Sequence, residues 1–169
     1  MNVAEFLLAE LDAEGRLSRR ALEHAPDNKY DWAPHEKSMK FGYLADMVAN
    51  IPMWVAMIVE QDSLDVNPPA GSRPQREQLT TSAALIASLE KSMAAGRAAL
   101  QNTSDAHLMT KWKLLAGGTV VLEESRGTMI RDTINHWVHH RGQMTVYLRL
   151  MGAKVPALYG PSADDTRFS

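Results

Sequence analysis

The sequence predicts an all-α fold, a four-helix bundle with a long crossover before the last helix. Three observations carry that expectation. Apolar residues recur at helical spacing in four separate stretches. Proline, glycine and polar clusters punctuate the chain between those stretches. One connection, ahead of the last stretch, is too long for a simple up-down turn. At 169 residues the chain has the length of one ordinary domain, and it carries no internal repeat, so residues 1–169 are read as a single unit.

The first helix spans residues 3 to 24, where Phe6, Leu7, Leu11, Leu17 and Leu22 alternate with charges. Ala25-Pro26-Asp27-Asn28 ends it, and Trp32-Ala33-Pro34-His35 reads as an extended loop. Ser38 is the expected N-cap of a second helix running to about Gln61, with Leu44, Met47, Val48, Ile51, Val55 and Ile58 inward. Pro52 falls inside this pattern, removes one backbone hydrogen bond and predicts a kink near Val48. Residues 63 to 78 form a polar loop with Pro68, Pro69, Gly71 and Pro74, and a third helix follows from about Thr80 to Leu100. In residues 103 to 124, Trp112, Leu114 and Leu115, then Gly117-Gly118 and Thr119 to Leu122, predict a crossover with a short extended or hairpin-like piece. The last helix runs from about Arg126 to Met151 and stops at Gly152, with Pro156 beyond it. The tail carries Val155, Leu158 and Tyr159 and is expected to pack on the bundle.

Composition narrows the function classes. The chain is 45% hydrophobic and 22% charged, as in globular proteins, with a formal net charge of -2. Nucleic-acid binding normally needs a strongly basic face, and here the basic residues are scattered, so no nucleic-acid partner is expected. The absence of cysteine excludes disulfides, thiolate ligands and a cysteine nucleophile, and fits a reducing compartment. Glu5, Glu10 and Asp12 interrupt the N-terminal segment where a signal peptide needs an apolar stretch. The longest uncharged apolar run, Met47 to Val59, is shorter than the roughly 20 residues a membrane span needs. A cytoplasmic protein without a membrane partner is expected.

Three of the six histidines lie within five residues, His136, His139 and His140, in the segment NHWVHHRGQ. Helix positions four apart share a face, while His139 is turned about 100° from His140. The stripe Met129, Thr133, His136, His140, Met144, Tyr147 and Met151 is the one expected to face the core, which puts His136 and His140 on the buried side, one turn apart. Two imidazoles so placed can grip one divalent cation. The other reading is a pair of core histidines bonded to backbone carbonyls or a buried carboxylate, because buried ring nitrogens need partners. Asp132, one turn earlier, can orient the second nitrogen of His136, or simply favour the helix dipole near the N-terminus. Gly142 costs about 1 kcal/mol relative to alanine in mid-helix, so a neighbouring helix or a symmetry partner is expected to approach it closely. His24, His35, His107 and His139 read as surface or loop residues.

The segment from His136 to Gln143, followed by Tyr147-Leu148-Arg149, Val155-Pro156 and Tyr159-Gly-Pro-Ser-Ala-Asp164, closely resembles the DinB-like (damage-inducible) family. The resemblance also covers Trp32 to Ser38, Leu44-Ala45 through Ile51-Pro52, and Trp112-Lys113-Leu114 with Gly117-Gly118. It implies a four-helix bundle that often forms a homodimer and binds one divalent ion, usually zinc or nickel, through three histidines. Two of these fall on His136 and His140. The third comes from the second helix, in a segment reading leucine-alanine-any-histidine-valine-alanine. Here that segment is Leu44-Ala45-Asp46-Met47-Val48-Ala49, so Met47 stands at the first metal position.

A thioether is a soft, neutral, weak ligand better suited to copper(I) than to zinc or nickel. Met47 reads more simply as core packing. Two histidines would hold zinc less tightly than three, with water or a carboxylate completing the shell. His35 and Glu36 precede the second helix, but residues there are not ligands in the family. The resemblance also implies metal-assisted chemistry, either transfer using a low-molecular-weight thiol, isomerisation or hydrolysis, in which an open coordination position activates water or thiol. Arg141, Gln143 and Tyr147 read either as contacts for an anionic substrate or as structural and interface residues. Two function classes follow. One is a metal-dependent enzyme with an altered ligand set. The other is a bundle without a catalytic ion that persists as a dimeric small-molecule-binding or interaction protein.

Overall fold

The architecture follows from where backbone groups find partners once the helices are interrupted. The computed structural model describes residues 1–69, 71 and 79–168. In chain order the elements are α1 (Val3–Glu23), α2 (Phe41–Asn50), α3 (Pro52–Glu60), β1 (Ser63–Asp65), α4 (Ser82–Gln101), α5 (Asp105–Leu108), β2 (Lys111–Ala116), β3 (Thr119–Ser125) and α6 (Arg126–Leu150). Helix α1 starts with a capping box. The Asn2 side chain accepts from the amide of Glu5, and the Glu5 carboxylate accepts from the amide of Asn2.

Pro52 divides the expected second helix into α2 and α3, which meet at 48°. The break has a simple cause: proline has no N–H for the carbonyl four residues earlier. That carbonyl belongs to Val48, and the buried indole of Trp137 on α6 donates to it at 2.7 Å. The kink is thus stitched to the last helix. Ser38 is not the cap of α2, which begins three residues later without a side-chain cap. Its first amides, Phe41 and Gly42, instead donate to the carbonyls of Trp32 and Tyr30 at 2.8 and 2.9 Å. The extended loop itself caps the helix.

The all-α expectation is corrected by a three-stranded sheet in the order β1-β2-β3. Strands β2 and β3 form the antiparallel hairpin expected around Gly117-Gly118, both of which have positive φ. Strand β1 pairs parallel to β2, with Leu64 opposite Leu114, inside what reads as a polar loop. The Asp65 carboxylate accepts from the amides of Asn67, Gly117 and Gly118, which pins that strand to the hairpin turn. Pro74 of the same loop lies outside the described residues.

Helix α6 ends as expected at Gly152, whose φ is 76°. Ala153 donates to Leu148 and Gly152 to Arg149, the pairing of a Schellman motif. The tail packs, as expected. Asp164 and Asp165 accept from the amides of Val155 and Ala157, and Ala157 is fully buried. One apolar core joins the long helices, with Leu11, Leu44, Val55, Leu85, Ile130 and Leu148 at its centre. No single helix among the described residues is long and apolar enough to cross a membrane.

Candidate metal centre

Helix α6 presents its histidines as the spacing requires. The Nε2 atoms of His136 and His140 lie 2.7 Å apart, with ring centroids 4.5 Å apart. The Oε1 of Gln143 stands 2.9 Å from Nδ1 of His140. A carbonyl oxygen only accepts, so Nδ1 carries the proton and Nε2 offers a lone pair. Nε2–H of His136 then donates to it. In this arrangement each ring's inward nitrogen is satisfied by the other ring.

The pair is not uniformly buried, which corrects one expectation. His140 is 7% exposed, whereas His136 is exposed at the rim. Its ring leans on Trp54 of α3, with centroids 5.6 Å apart. Burial of its inner side, then the neighbouring rings of His140 and His139, hold its pKa below the ordinary histidine value. The face of α6 turned inward is also wider than the predicted stripe. Ile130, Ile134, Trp137, Arg141 and Leu148 are buried as well.

The other predicted residues separate cleanly. Met47 is partly buried and packs against the core. Oδ1 of Asp132 accepts from Arg131 at 3.0 and 2.8 Å rather than from a His136 nitrogen. Among the described residues of this chain no heavy atom lies within 4 Å of a Cβ added to Gly142, so no neighbouring helix of the same chain makes the expected approach. The close helix contact expected there occurs instead at Gly96. A Cβ on Gly96 would lie 3.0 Å from the carbonyl oxygen of Pro52.

His24 bonds the Arg20 carbonyl, and His35 accepts from the amide of Lys37. His107 bonds the Val59 carbonyl. His139 is exposed, with its ring 5.4 Å from that of His140. Glu36 is exposed beside His35.

Arg141 is fully engaged elsewhere. It is 1% exposed, and it donates to the Glu14 carboxylate and carbonyl, the Ser18 hydroxyl and the Tyr159 hydroxyl. Tyr159 in turn donates to Glu14 at 2.7 Å. Tyr147 donates to the Met39 carbonyl. Neither Arg141 nor Tyr147 is available to an anionic substrate in this arrangement.

His136 also lines a cavity of about 280 Å³. Its walls come from α3, the β1–β2 side of the sheet and the first turns of α6, with Trp54, Met57, Leu114 and Met129 as the main apolar surfaces. No sequence signal pointed to this cavity, because β1 was not legible as a strand. Trp112 was legible as part of the crossover, and it proves to line the cavity; its indole nitrogen is buried and has no hydrogen-bond partner among the described residues.

Whether a divalent ion fits can be judged from the donors. His140 is held in the tautomer a metal needs, by a partner on its other nitrogen. Two imidazoles around tetrahedral zinc would have their nitrogens roughly 3.3 Å apart, so the rings must spread and give up their mutual hydrogen bond. Among the described residues no group of three histidine, cysteine, aspartate or glutamate side chains converges. The residues therefore fall short of a three-ligand protein site.

Known proteins bear on this arrangement in three ways. A family model described as the DinB family matches residues 1–167. A 39-residue stretch is 46% identical to the uncharacterized protein YrdA of Bacillus subtilis (strain 168), a match spanning 23% of this chain and 23% of that relative. Two crystal structures share the fold. One, a DinB-like protein from Bacillus cereus ATCC 10987, has a TM-score of 0.70 at 24% identity over 92% of this chain and 97% of that one. The other, the DinB-like protein YjoA from Bacillus subtilis, has a TM-score of 0.68 at 16% identity over 95% and 99%. From its first residue to nearly its last, the chain belongs to the DinB family.

Proposed function

We propose that this chain binds an apolar small molecule in the cavity beside His136, next to an incomplete metal centre made by His136 and His140. The centre takes a divalent ion such as zinc or nickel only weakly, because Met47 occupies the position from which the family resemblance draws a third histidine. The observation that carries the reading is the Nε2–Nε2 hydrogen bond at 2.7 Å, on which no third histidine, cysteine, aspartate or glutamate among the described residues converges. An ion has to displace that bond and complete its shell from water, so its affinity is low and falls further as protons compete for the rings.

A second reading is a metal-dependent enzyme, transferring a low-molecular-weight thiol or hydrolysing its substrate. It is favoured by the Gln143 contact, which aims a lone pair of His140 at the shared point. In either reading the four long helical segments act as a four-helix bundle, a homodimer is the expected assembly, and a cytoplasmic setting is expected. The experiment is elemental analysis of the purified protein. The wild type is expected to carry far less than one equivalent of zinc or nickel, and Met47→His to raise it. Stoichiometric, chelator-resistant metal in the wild type overturns the weak-centre reading and favours the enzyme. His140→Ala lowering stability with no change in metal or ligand binding shows a purely structural pair.

A further inference from the structure

Arginine keeps its charge at every ordinary pH, so each guanidinium needs a carboxylate, water or a ligand. Among the described residues the arginines divide in two. Arg16 and Arg20 pair with no carboxylate, whereas every other one, from Arg19 on α1 to Arg167 in the tail, does. The acidic residues nearest the unpaired two in sequence are taken: Asp12 by Arg97, Glu14 by Arg141 and Glu23 by Arg19. Residues four apart share a helix face, so two like charges stand one turn apart and repel each other.

Both side chains line one cleft of about 300 Å³ between α1 and the tail, with Ala13, Leu17 and Tyr159 as its apolar surfaces. Arg16 is exposed and Arg20 half-buried, so both open on solvent. One nitrogen of Arg20 holds the Ala157 carbonyl at 3.2 Å, which fixes the side chain and leaves its remaining donors free. The Glu14 carboxylate at the base of the cleft is 8% exposed and occupied by Arg141 and Tyr159. Tyr159 adds a second feature. Its ring is 65% exposed, yet its hydroxyl is tied to Glu14 and Arg141. An aromatic face held still in advance loses little freedom when a flat ligand lies against it.

We propose that this cleft is an anion site for a phosphate monoester of a small, flat, apolar body. The two guanidinia grip the dianionic head, and the body rests against Tyr159 and Leu17. Guanidinium matches phosphate in both charge and fork geometry, and a dianion relieves the repulsion between the two cations. The site shares no lining residue with the cavity beside His136, so it stands whether or not the histidines carry an ion.

The test titrates the intact protein with three probes: phenyl phosphate, inorganic phosphate, which lacks the ring, and phenol, which lacks the charge. Calorimetry gives affinity, and amide shifts in ¹H–¹⁵N spectra give location. Chelator is present throughout, and a pH of about 8 keeps the phosphate dianionic. Phenyl phosphate is expected to bind saturably, one per chain, and to shift amides of residues 13–20 and 157–160. Inorganic phosphate and phenol are each expected to bind at least ~10-fold more weakly, and so is phenyl phosphate to Arg16→Gln. Arg131→Gln removes the same charge from α6 and is expected to leave affinity within about threefold. Arg16 makes no bond that the fold uses, so its variant keeps the wild-type unfolding temperature.

Affinity for phenyl phosphate unchanged in Arg16→Gln overturns the proposal. So does an equal loss in Arg131→Gln, which shows attraction to overall charge alone. Phenol or inorganic phosphate binding as tightly as phenyl phosphate, shifts confined to α3 and α6 around His136, or no saturable binding overturn it as well.

Discussion

Trp137 shows how one side chain can repair another's defect. Pro52 leaves the Val48 carbonyl without its helical donor, and the indole of Trp137 supplies one across the core. Trp137→Phe is expected to keep the apolar volume but strand that carbonyl, at a cost of about 1–3 kcal/mol. In urea titrations the midpoint should fall with an unchanged slope; an unaltered midpoint would show that the bond contributes nothing net. Tyr30 offers a prediction in pH. Its hydroxyl is buried without a partner, and burial, helped by Asp27, pushes its pKa up to about 12. The folded state keeps the phenol proton where the unfolded chain loses it, near pH 10. Stability from this group is therefore complete below about pH 10 and is lost as the pH rises toward 12. Ultraviolet titration should show one tyrosine ionising late, and Tyr30→Phe should flatten the alkaline fall in stability. At this scale the sequence made His136 and His140 legible as a converging pair, because a one-turn spacing dictates it. It could not show that His136 is exposed while His140 is buried, since that depends on tertiary packing.

At the scale of elements, glycine positions separate close packing from open surface. Helix α4 lies against the kink through Gly96, where an added Cβ would sit 3.0 Å from the Pro52 carbonyl oxygen and 3.1 Å from Leu11. Alanine is the better helix former by about 1 kcal/mol. A backbone carbonyl cannot step aside as a side chain can, so the clash wins, and Gly96→Ala is expected to destabilise by about 1–3 kcal/mol. Gly142→Ala is expected to do the opposite, stabilising by up to about 1 kcal/mol, because its surroundings in the chain are open. Thermal unfolding of the two variants checks the contrast, and a fall in stability for Gly142→Ala would mean that a second copy packs there. The long helices and the hairpin were legible from period and turn residues. Strand β1 was not, because three residues carry no detectable alternation, and its pairing rests on the distant β2. The division of the second helix was legible as a proline kink expected near Val48, and the break falls at Ile51; the N-terminus was misplaced at Ser38 because the loop's own carbonyls cap it.

Across the whole molecule, two buried arginines hold the parts in register. Arg141 joins α6 to α1 and to the tail through Glu14 and Tyr159. Arg126 joins the start of α6 to the end of α3 and the sheet, through the Gln61 and Lys111 carbonyls and Asp62. These clamps hold the rotation of α6, which keeps His136 at the cavity formed with α3 and the sheet. The family was legible from motifs spread along the whole chain. The cavity was not, since it is enclosed by segments far apart in sequence. The proposed weak centre has two imidazoles, His136 and His140, with Met47 at the position where the family resemblance implies a third. The direct measurement is the zinc dissociation constant of the intact protein, by competition with a chromophoric chelator, beside Met47→His and His140→Ala. Weak binding by the wild type, tightened ~10–100-fold by Met47→His and lost in His140→Ala, is the predicted result. Binding by the wild type as tight as in Met47→His, or unaffected by His140→Ala, would contradict it.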